Sequence, residues 1–490
     1  MNKITAFILI VIGLNSCSNF KSVKVNLEDK WDIKRPLANP DKGWYHHMLD
    51  NGVHKYLIQD EKELTDFPGM DHLYLRLCWA FLEPEEGKYD WSYIDEIVEK
   101  YVPMGYKISF RISCKETGGA PGSVPQEING VKYATPYWVK LAGAKGIDCP
   151  EFGNCSWTPD WLDPVFLKKL NNFHKAFAEK YDGKPYVRYV DVGSIGEWGE
   201  GHTHQSTRIP PMVEDVITHI DLHLKHYKKT QIVVTDDLLY WNKSDAEVNE
   251  LFEYVKSKNI TFRDDSPLVN WYVENNLDTW TVTHPHFFEA VYKKYPTVFE
   301  LEHYAAVKRN GNWNGKNGQE KLEKAEVTGA QVFREAIKLI KPTYIGFHGY
   351  IGEWHSENPD LTNELLNMCG YWYFPRSIEI TELSGSEIIF NIEWFNKGVA
   401  PAYSAYVLKG KLIGKNQTID FEIKDSGNKD WMPGEVYKQN YEAQLSEKLK
   451  GKYNFNIQLF DVKSNRPVEI GLTEDLKNKD GYFTLTEFIY

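Results

Sequence analysis

The chain has 490 residues, room for roughly two or three domains, and 42% of them are apolar, which excludes wholesale disorder. A formal net charge of −12 leaves no concentrated Lys and Arg surface for phosphate, so nucleic acid is excluded as a partner. Sixteen Trp and 30 Tyr first fill a core; any surplus beside polar loops suits stacking on the apolar faces of sugar rings.

The chain begins MNKITAFILIVIGLNSC. Lys3 supplies a positive start and Ile4–Leu14 an apolar run too short to span a bilayer, which reads as a signal peptide over 1–17. Leu14-Asn15-Ser16-Cys17 resembles a bacterial lipobox, in which the Cys becomes the lipidated first residue. The expectation is an exported lipoprotein held to a membrane through Cys17, at the periplasmic face or the cell surface. An ordinary secretory signal with a chance Cys is the alternative. Of the six cysteines, Cys149 and Cys155 flank PEFGN, where an exported protein can bridge them. Cys78, Cys114 and Cys369 read as small buried hydrophobes.

From ANPDKGWYHH at 38–47 onward, strand-like and helix-like segments alternate. HLYLRLCWAF (72–81) is a strand, and SYIDEIVEKYV a helix with Ile94, Ile97, Val98 and Tyr101 on one face. YKISFRISC (106–114) is the next strand, followed by a long loop to about 160. A helix begins at Asp163-Pro164, an N-cap and first-turn pair. VRYVDVGS is strand four, with strands five to eight at 231–237, 259–265, 296–304 and 342–354. Helices are expected near 212–227, 245–257, 286–294 and 320–340. With a first strand near GWYHH this makes a (β/α)8 barrel over 36–374. After Arg376 short alternating strands with turns and no helix imply an antiparallel β-sandwich over 376–490.

Active sites of such barrels lie at the C-terminal strand ends. Strand two ends with Arg76 and Trp79; strand three with Arg111, Lys115 and Glu116; strand four with Glu197, Trp198, Glu200 and His202. Strand five contributes Asp236 and Asp237, and strand six Arg263, Asp264 and Asp265. Strand seven contributes Glu300, Glu302 and His303, and strand eight His348, Glu353, Trp354 and His355.

WAFLEPEEGKYDW resembles the strand-two signature of (β/α)8 glycoside hydrolases, the broad clan that includes β-galactosidases and cellulases. The resemblance implies a general acid/base Glu at the end of strand four and a nucleophilic Glu at the end of strand seven. NPDKGWYHH, the GEW of strand four and GYWYFPRSIEI also resemble a barrel-plus-sandwich family known as a domain of unknown function, DUF4832, with its partner DUF4874.

Glycoside cleavage needs one carboxylic acid on the leaving oxygen and one carboxylate opposite it. Glu197, between Gly196 and Trp198, suits the acid, because desolvation favours its neutral form. Glu200 is the competitor, or else orients Glu197 or binds a hydroxyl. Glu300 and Glu302 are two apart and share a face of an extended strand. The resemblance to related barrels, which place the nucleophile a few apolar residues after a Pro, implies Glu300 and gives it a slight preference, whereas position at the strand's very end favours Glu302. Arg76 and Arg111 either form barrel salt bridges or hold the nucleophile ionised. Arg76, Trp79, Arg111, Trp198, Glu200, His202, Asp236, His303, His348 and Trp354 are the expected substrate-binding set. The loop 303–319 is a lid, a subsite wall or a plain solvated loop.

The expected function is therefore an exported, retaining glycoside hydrolase acting on a carbohydrate without a cofactor. Two rivals stand beside it. One is a non-catalytic carbohydrate-binding lipoprotein. The other is a metal-dependent hydrolase using His202, His204, His284, His286 and the paired aspartates, although no established metal spacing is present.

Overall fold

The computed structural model of the protein describes residues 20–50, 52–117, 122–149, 155–265, 267–274, 283–384 and 386–490. The expected signal peptide with Cys17, and the PEFGN segment, lie outside the described residues.

Eight parallel strands close into a barrel: Gly43–Leu49, Met70–Cys78, Lys107–Ser113, Val187–Asp191, Gln231–Thr235, Thr261–Asp265, Val298–Leu301 and Tyr344–Phe347. Strand eight pairs with strand one, Phe347 opposite His46, so no edge remains. Alternate residues of each strand face opposite ways. One set (Trp44, Leu73, Leu75, Phe110, Phe262, Phe299) packs outward into the helical layer. The other forms a separate inner cluster of Tyr45, Tyr74, Tyr189, Val233, Val298 and Tyr344. The surrounding helices include Ser92–Tyr101, Pro164–Tyr181, Val213–His226, Asp245–Ser257, Pro285–Val291 and Gly329–Ile340. Asp163 caps its helix as expected, accepting the N–H groups of Val165 and Phe166 at 2.9 Å each.

Three boundaries differ from expectation, and each moves a candidate side chain. Strand two stops at Cys78, and Trp79–Leu82 turns into a helix. Strand eight stops at Phe347, and Ile351–Glu357 is a helix. Strand seven stops at Leu301, so Glu300 is inside it and Glu302 just beyond.

The C-terminal region is a two-sheet sandwich. Its first sheet orders Val23–Asn26, Tyr373–Ser384, Glu387–Asn396 and Val436–Gln444. The lead segment before the barrel is thus a sandwich strand, Val23 opposite Ile380. The second sheet holds Thr418–Ile423, Val407–Gly414, Lys452–Asp461, Arg466–Val468 and Phe483–Ile489. Strict alternation of buried and half-buried residues along Glu387–Asn396 supplies the inner face, where Trp394 stacks on Trp431. Cys149 and Cys155 are paired, and Cys78, Cys114 and Cys369 are buried thiols. No helix among the described residues is long and apolar enough to cross a membrane.

Candidate active site

A cavity of about 950 Å³ opens at the C-terminal ends of the barrel strands, large enough for several sugar rings. Arg76, Trp198, Glu200, His202, Asp237, Tyr240, Trp241, Asp265, Glu302, His303, Arg309 and His348 line it.

The GEWGE segment decides which strand-four glutamate reaches the cavity. The chain folds back on itself after Asp191: the Glu197 N–H donates to His202 O at 2.7 Å, and the Gly201 N–H to Ile195 O at 3.1 Å. Gly199 and Gly201 are both left-handed, with φ of 77°; a Cβ would lie 2.5 Å from Gly193 O at the first and 2.5 Å from Leu238 Cα at the second. Trp198 is left-handed as well, with φ of 54°, a conformation that strains a bulky residue and here presents its indole to the cavity. Glu197 turns inward. It is fully buried, does not line the cavity, and accepts the Gln205 N–H at 3.0 Å. Burial pushes its carboxyl up, but His202, Ser206 and the Gln205 N–H together outweigh this and hold it below the usual carboxylate value. Glu197 is desolvated as expected, but the fold also provides polar partners where the sequence suggested only Trp and Gly.

Glu200 takes the cavity position. It accepts Arg111 Nη1 at 2.7 Å, lies 3.5 Å from Arg76 Nη1, and contacts His202 Nε2 at 3.3 Å. Burial pushes it up; His202, Arg111 and Arg76 overcome that and hold it down to about 2.

Strand seven separates its two glutamates by depth. Glu300 is buried inside the barrel mouth, clamped by Arg111 Nη2 at 2.8 and 3.0 Å, Arg263 Nη1 at 2.9 Å and His348 Nε2 at 2.9 Å, with His47 Nε2 at 3.6 Å. These groups outweigh burial and keep its carboxylate well below the usual range. It lies just beneath the cavity and does not line it, with a carboxylate oxygen within 4.8 Å of those of Glu200 and Asp265. Glu302 does line it, accepting the His303 N–H at 2.9 Å, and burial pushes its carboxyl up.

The remaining expected residues divide cleanly. Arg76, Trp198, His202, His303 and His348 line the cavity. Arg111 lies fully buried beneath it, bridging Glu200 and Glu300. Asp236 is buried outside the cavity, which its neighbour Asp237 lines instead. Trp79 and Trp354 are both in the core and not available for sugar stacking. Trp79 packs on Phe173 and Trp138, with its Nε1–H donated to Glu83; Trp354 stacks on Phe347 and donates to Thr362. The 303–319 segment is no lid: Trp313 is buried against Trp354 and Tyr304, and Asn317 is bonded to Asp360. Its first helix, Tyr304–Arg309, walls the cavity.

Sequence reasoning missed Asp50 and His47, at the end of strand one in WYHHMLD, and the Tyr240-Trp241 pair after strand five. Asp50 forms an ion pair with Arg76, Oδ1 to Nη2 at 2.8 Å, and its Oδ2 lies 3.2 Å from His348 Nδ1. Burial works against a charged His348, but Asp50 and Glu300 raise it to about 9. The only early signal for the aromatic pair was its place directly after a strand end.

Two groups among the described residues bring three metal-compatible atoms within 4.8 Å of one another: His47–Asp50–His348 and Glu200–Asp265–Glu300. Neither is the His/Asp set expected from the sequence. Both are already neutralised by guanidinium groups, Arg76 on Asp50 and Arg111 and Arg263 on Glu300, which fits a divalent cation poorly.

Comparison with known proteins adds a partial match. The family described as Glyco_hydro_42, β-galactosidase, matches residues 69–194, which include WAFLEPEEGKYDW and stop just short of Glu197 and Glu200. A curated relative, β-galactosidase BbgII of Bifidobacterium bifidum, is 27% identical over 114 residues, 22% of this chain and only 14% of that protein's length. Among solved structures, endo-glycoceramidase II from Rhodococcus sp. as its lactosyl-enzyme intermediate is 12% identical, with a TM-score of 0.41 over 85% of this chain and 98% of that one. The catalytic domain of β-amylase from Paenibacillus polymyxa is also 12% identical, with a TM-score of 0.42 over 67% and 99% of the two chains.

Proposed function

We propose that the chain is a glycoside hydrolase whose working carboxylates are Glu200 and Glu302. One observation carries this reading: two glutamates from the ends of strands four and seven line one cavity in opposite electrostatic environments. Glu200 is paired with Arg111, Arg76 and His202, while burial favours the protonated form of Glu302. Environments that push two carboxyl groups apart assign acid and base roles. Glu302 donates its proton to the glycosidic oxygen as that bond breaks, and the Glu200 carboxylate bonds to the anomeric carbon. Water, deprotonated by Glu302, then releases the sugar and frees Glu200. The course is retaining, and the acid sits on strand seven, opposite to the order the resemblance implies. Arg111, Glu300 and His348 form the charged floor that fixes Glu200.

The β-galactosidase match over residues 69–194 supports β-galactosides as the first substrates to examine. Membership of the DUF4832 type, export and a lipid anchor at Cys17 belong to the same reading, supported by the sequence motifs alone. The test is sugar release from nitrophenyl glycosides and from plant, algal and host polysaccharides. Wild type releases sugar, and Glu200→Gln and Glu302→Gln each lose about 10²–10⁴-fold in kcat. Release retained in both variants, or a glycan bound tightly without release, overturns the reading.

A further inference from the structure

Glu197 takes no part in the chemistry just described, yet its surroundings are specific. Its Oε2 lies 3.5 Å from His202 Nδ1, and the opposite ring nitrogen, Nε2, lies 3.3 Å from Glu200 Oε2. One imidazole thus stands between a carboxylate buried behind the cavity and a carboxylate inside it. The left-handed Trp198, Gly199 and Gly201 create this spacing, because an extended or helical Glu-Trp-Gly-Glu-Gly-His could not close around its own histidine.

We propose that Glu197 is a positioning residue that keeps His202 an imidazolium, which in turn orients the Glu200 carboxylate in the cavity. The proposal rests on Glu200 being the working carboxylate. A neutral imidazole has one N–H and serves one of the two carboxylates; an imidazolium donates to both. The other groups around the ring agree. Asp237, just past strand five, also favours the charged ring, although burial pushes its own carboxyl up. Trp198 and Trp241 flank the ring at 5.5 and 6.1 Å between centroids and carry no charge. Arg111 and Arg76 spend their charge on Glu200, Glu300 and Asp50, with Asp265 near Glu200. Lys115, which faces Glu197, is bonded to Ser156 and held by burial down to about 8. The His204 N–H lies 3.5 Å from Nδ1, no nearer than Glu197 Oε2, and a backbone N–H on an unprotonated Nδ1 would leave the buried Glu197 carboxylate without the charge that a protonated Nδ1 offers it. Burial works against a charged ring, but Glu197, Glu200 and Asp237 outweigh it.

The experiment is a nitrogen-15 NMR titration of His202, its signal identified by loss in His202→Gln. In wild type the ring titrates at least about one unit above the ordinary imidazole value of ~6.5. Glu197→Gln keeps the size of the side chain and an acceptor for the Gln205 N–H, and lowers that titration by about one unit or more. In kcat/KM the alkaline limb moves down with it, so the loss relative to wild type is absent at acid pH, grows as pH rises and reaches about tenfold above the wild-type titration. A wild-type ring titrating at or below the ordinary value overturns the proposal, and this holds even if Glu197→Gln does not fold. So does a titration unmoved by Glu197→Gln, or a loss equal at every pH, which marks a purely structural role. If the titration behaves as stated and no glycan is cleaved, the coupling stands and the glycosidase reading fails.

Discussion

Replacing Arg111 by Met removes one guanidinium that serves several carboxylates at once. Arg111 is fully buried, forks onto both oxygens of Glu300 at 2.8 and 3.0 Å, reaches Glu200 at 2.7 Å, and lies 3.5 Å from Asp191 Oδ2. Glu300 keeps Arg263 and His348, and Glu200 keeps Arg76 and His202, so neither is left alone. Even so, one positive charge is lost from a buried cluster in which Glu300 is shut off from water. Breaking a buried pair from one side costs about 3–5 kcal/mol. Equilibrium urea unfolding followed by Trp fluorescence measures it. Glu300→Gln in the Arg111→Met background recovers part of the loss, because the amide no longer leaves an undercompensated charge, and the cycle gives a coupling of about 1–3 kcal/mol. Arg111→Lys keeps the charge but not the fork, and falls between. A cost under about 1 kcal/mol for Arg111→Met refutes the idea that this cluster is dry and mutually dependent.

Acid titration tests a second buried group. Burial holds His219 down to about 4 and His223 to about 3, with His174 well below its ordinary value, in a neutral cluster between Pro164–Tyr181 and Val213–His226. The unfolded chain takes up protons first, so the stability is present above pH ~6.5 and is lost as pH falls toward about 4; His219 alone accounts for about 3 kcal/mol, read by urea midpoints across that range. His348, raised to about 9, contributes in the opposite sense: its stability is full below pH ~6.5 and is lost as pH rises through its folded value. A chelator leaves sugar release intact, because the guanidinium groups already occupy the carboxylates a cation would need; abolition by EDTA with restoration by a divalent ion contradicts this. Trp241→Ala removes an aromatic wall of the cavity and raises KM for an oligosaccharide several-fold more than for a nitrophenyl monosaccharide; equal effects on both contradict a stacking role.

The barrel was legible in the sequence because its signals are local. Apolar strands of the right length, the Asp163-Pro164 helix start and the amphipathic Ser92–Tyr101 all follow from near neighbours in the chain. The face shared by Glu300 and Glu302 was legible too, but their depth was not, since a single residue past Leu301 separates a charge sealed among arginines from a carboxyl in the cavity. GEWGE misled for a different reason. Three left-handed residues within four positions, Trp198, Gly199 and Gly201, reverse which glutamate faces outward, and the close approach of Gly193 to Gly199 and of Leu238, from another element, to Gly201 leaves no room for a side chain on that path. Trp79 and Trp354 lie beyond strand ends where the chain turns helical, which rotates each indole into the core. Asp50, His47 and Arg263 owe their importance to partners on strands far away in sequence, a property no local pattern carries.

Trapping with a 2-deoxy-2-fluoro glycosyl fluoride of the cleaved sugar, followed by peptide mass spectrometry, tests the central assignment most directly. The account predicts a single covalent sugar on Glu200, absent in Glu200→Gln. A label on Glu302, on Glu300 or on Glu197 contradicts it.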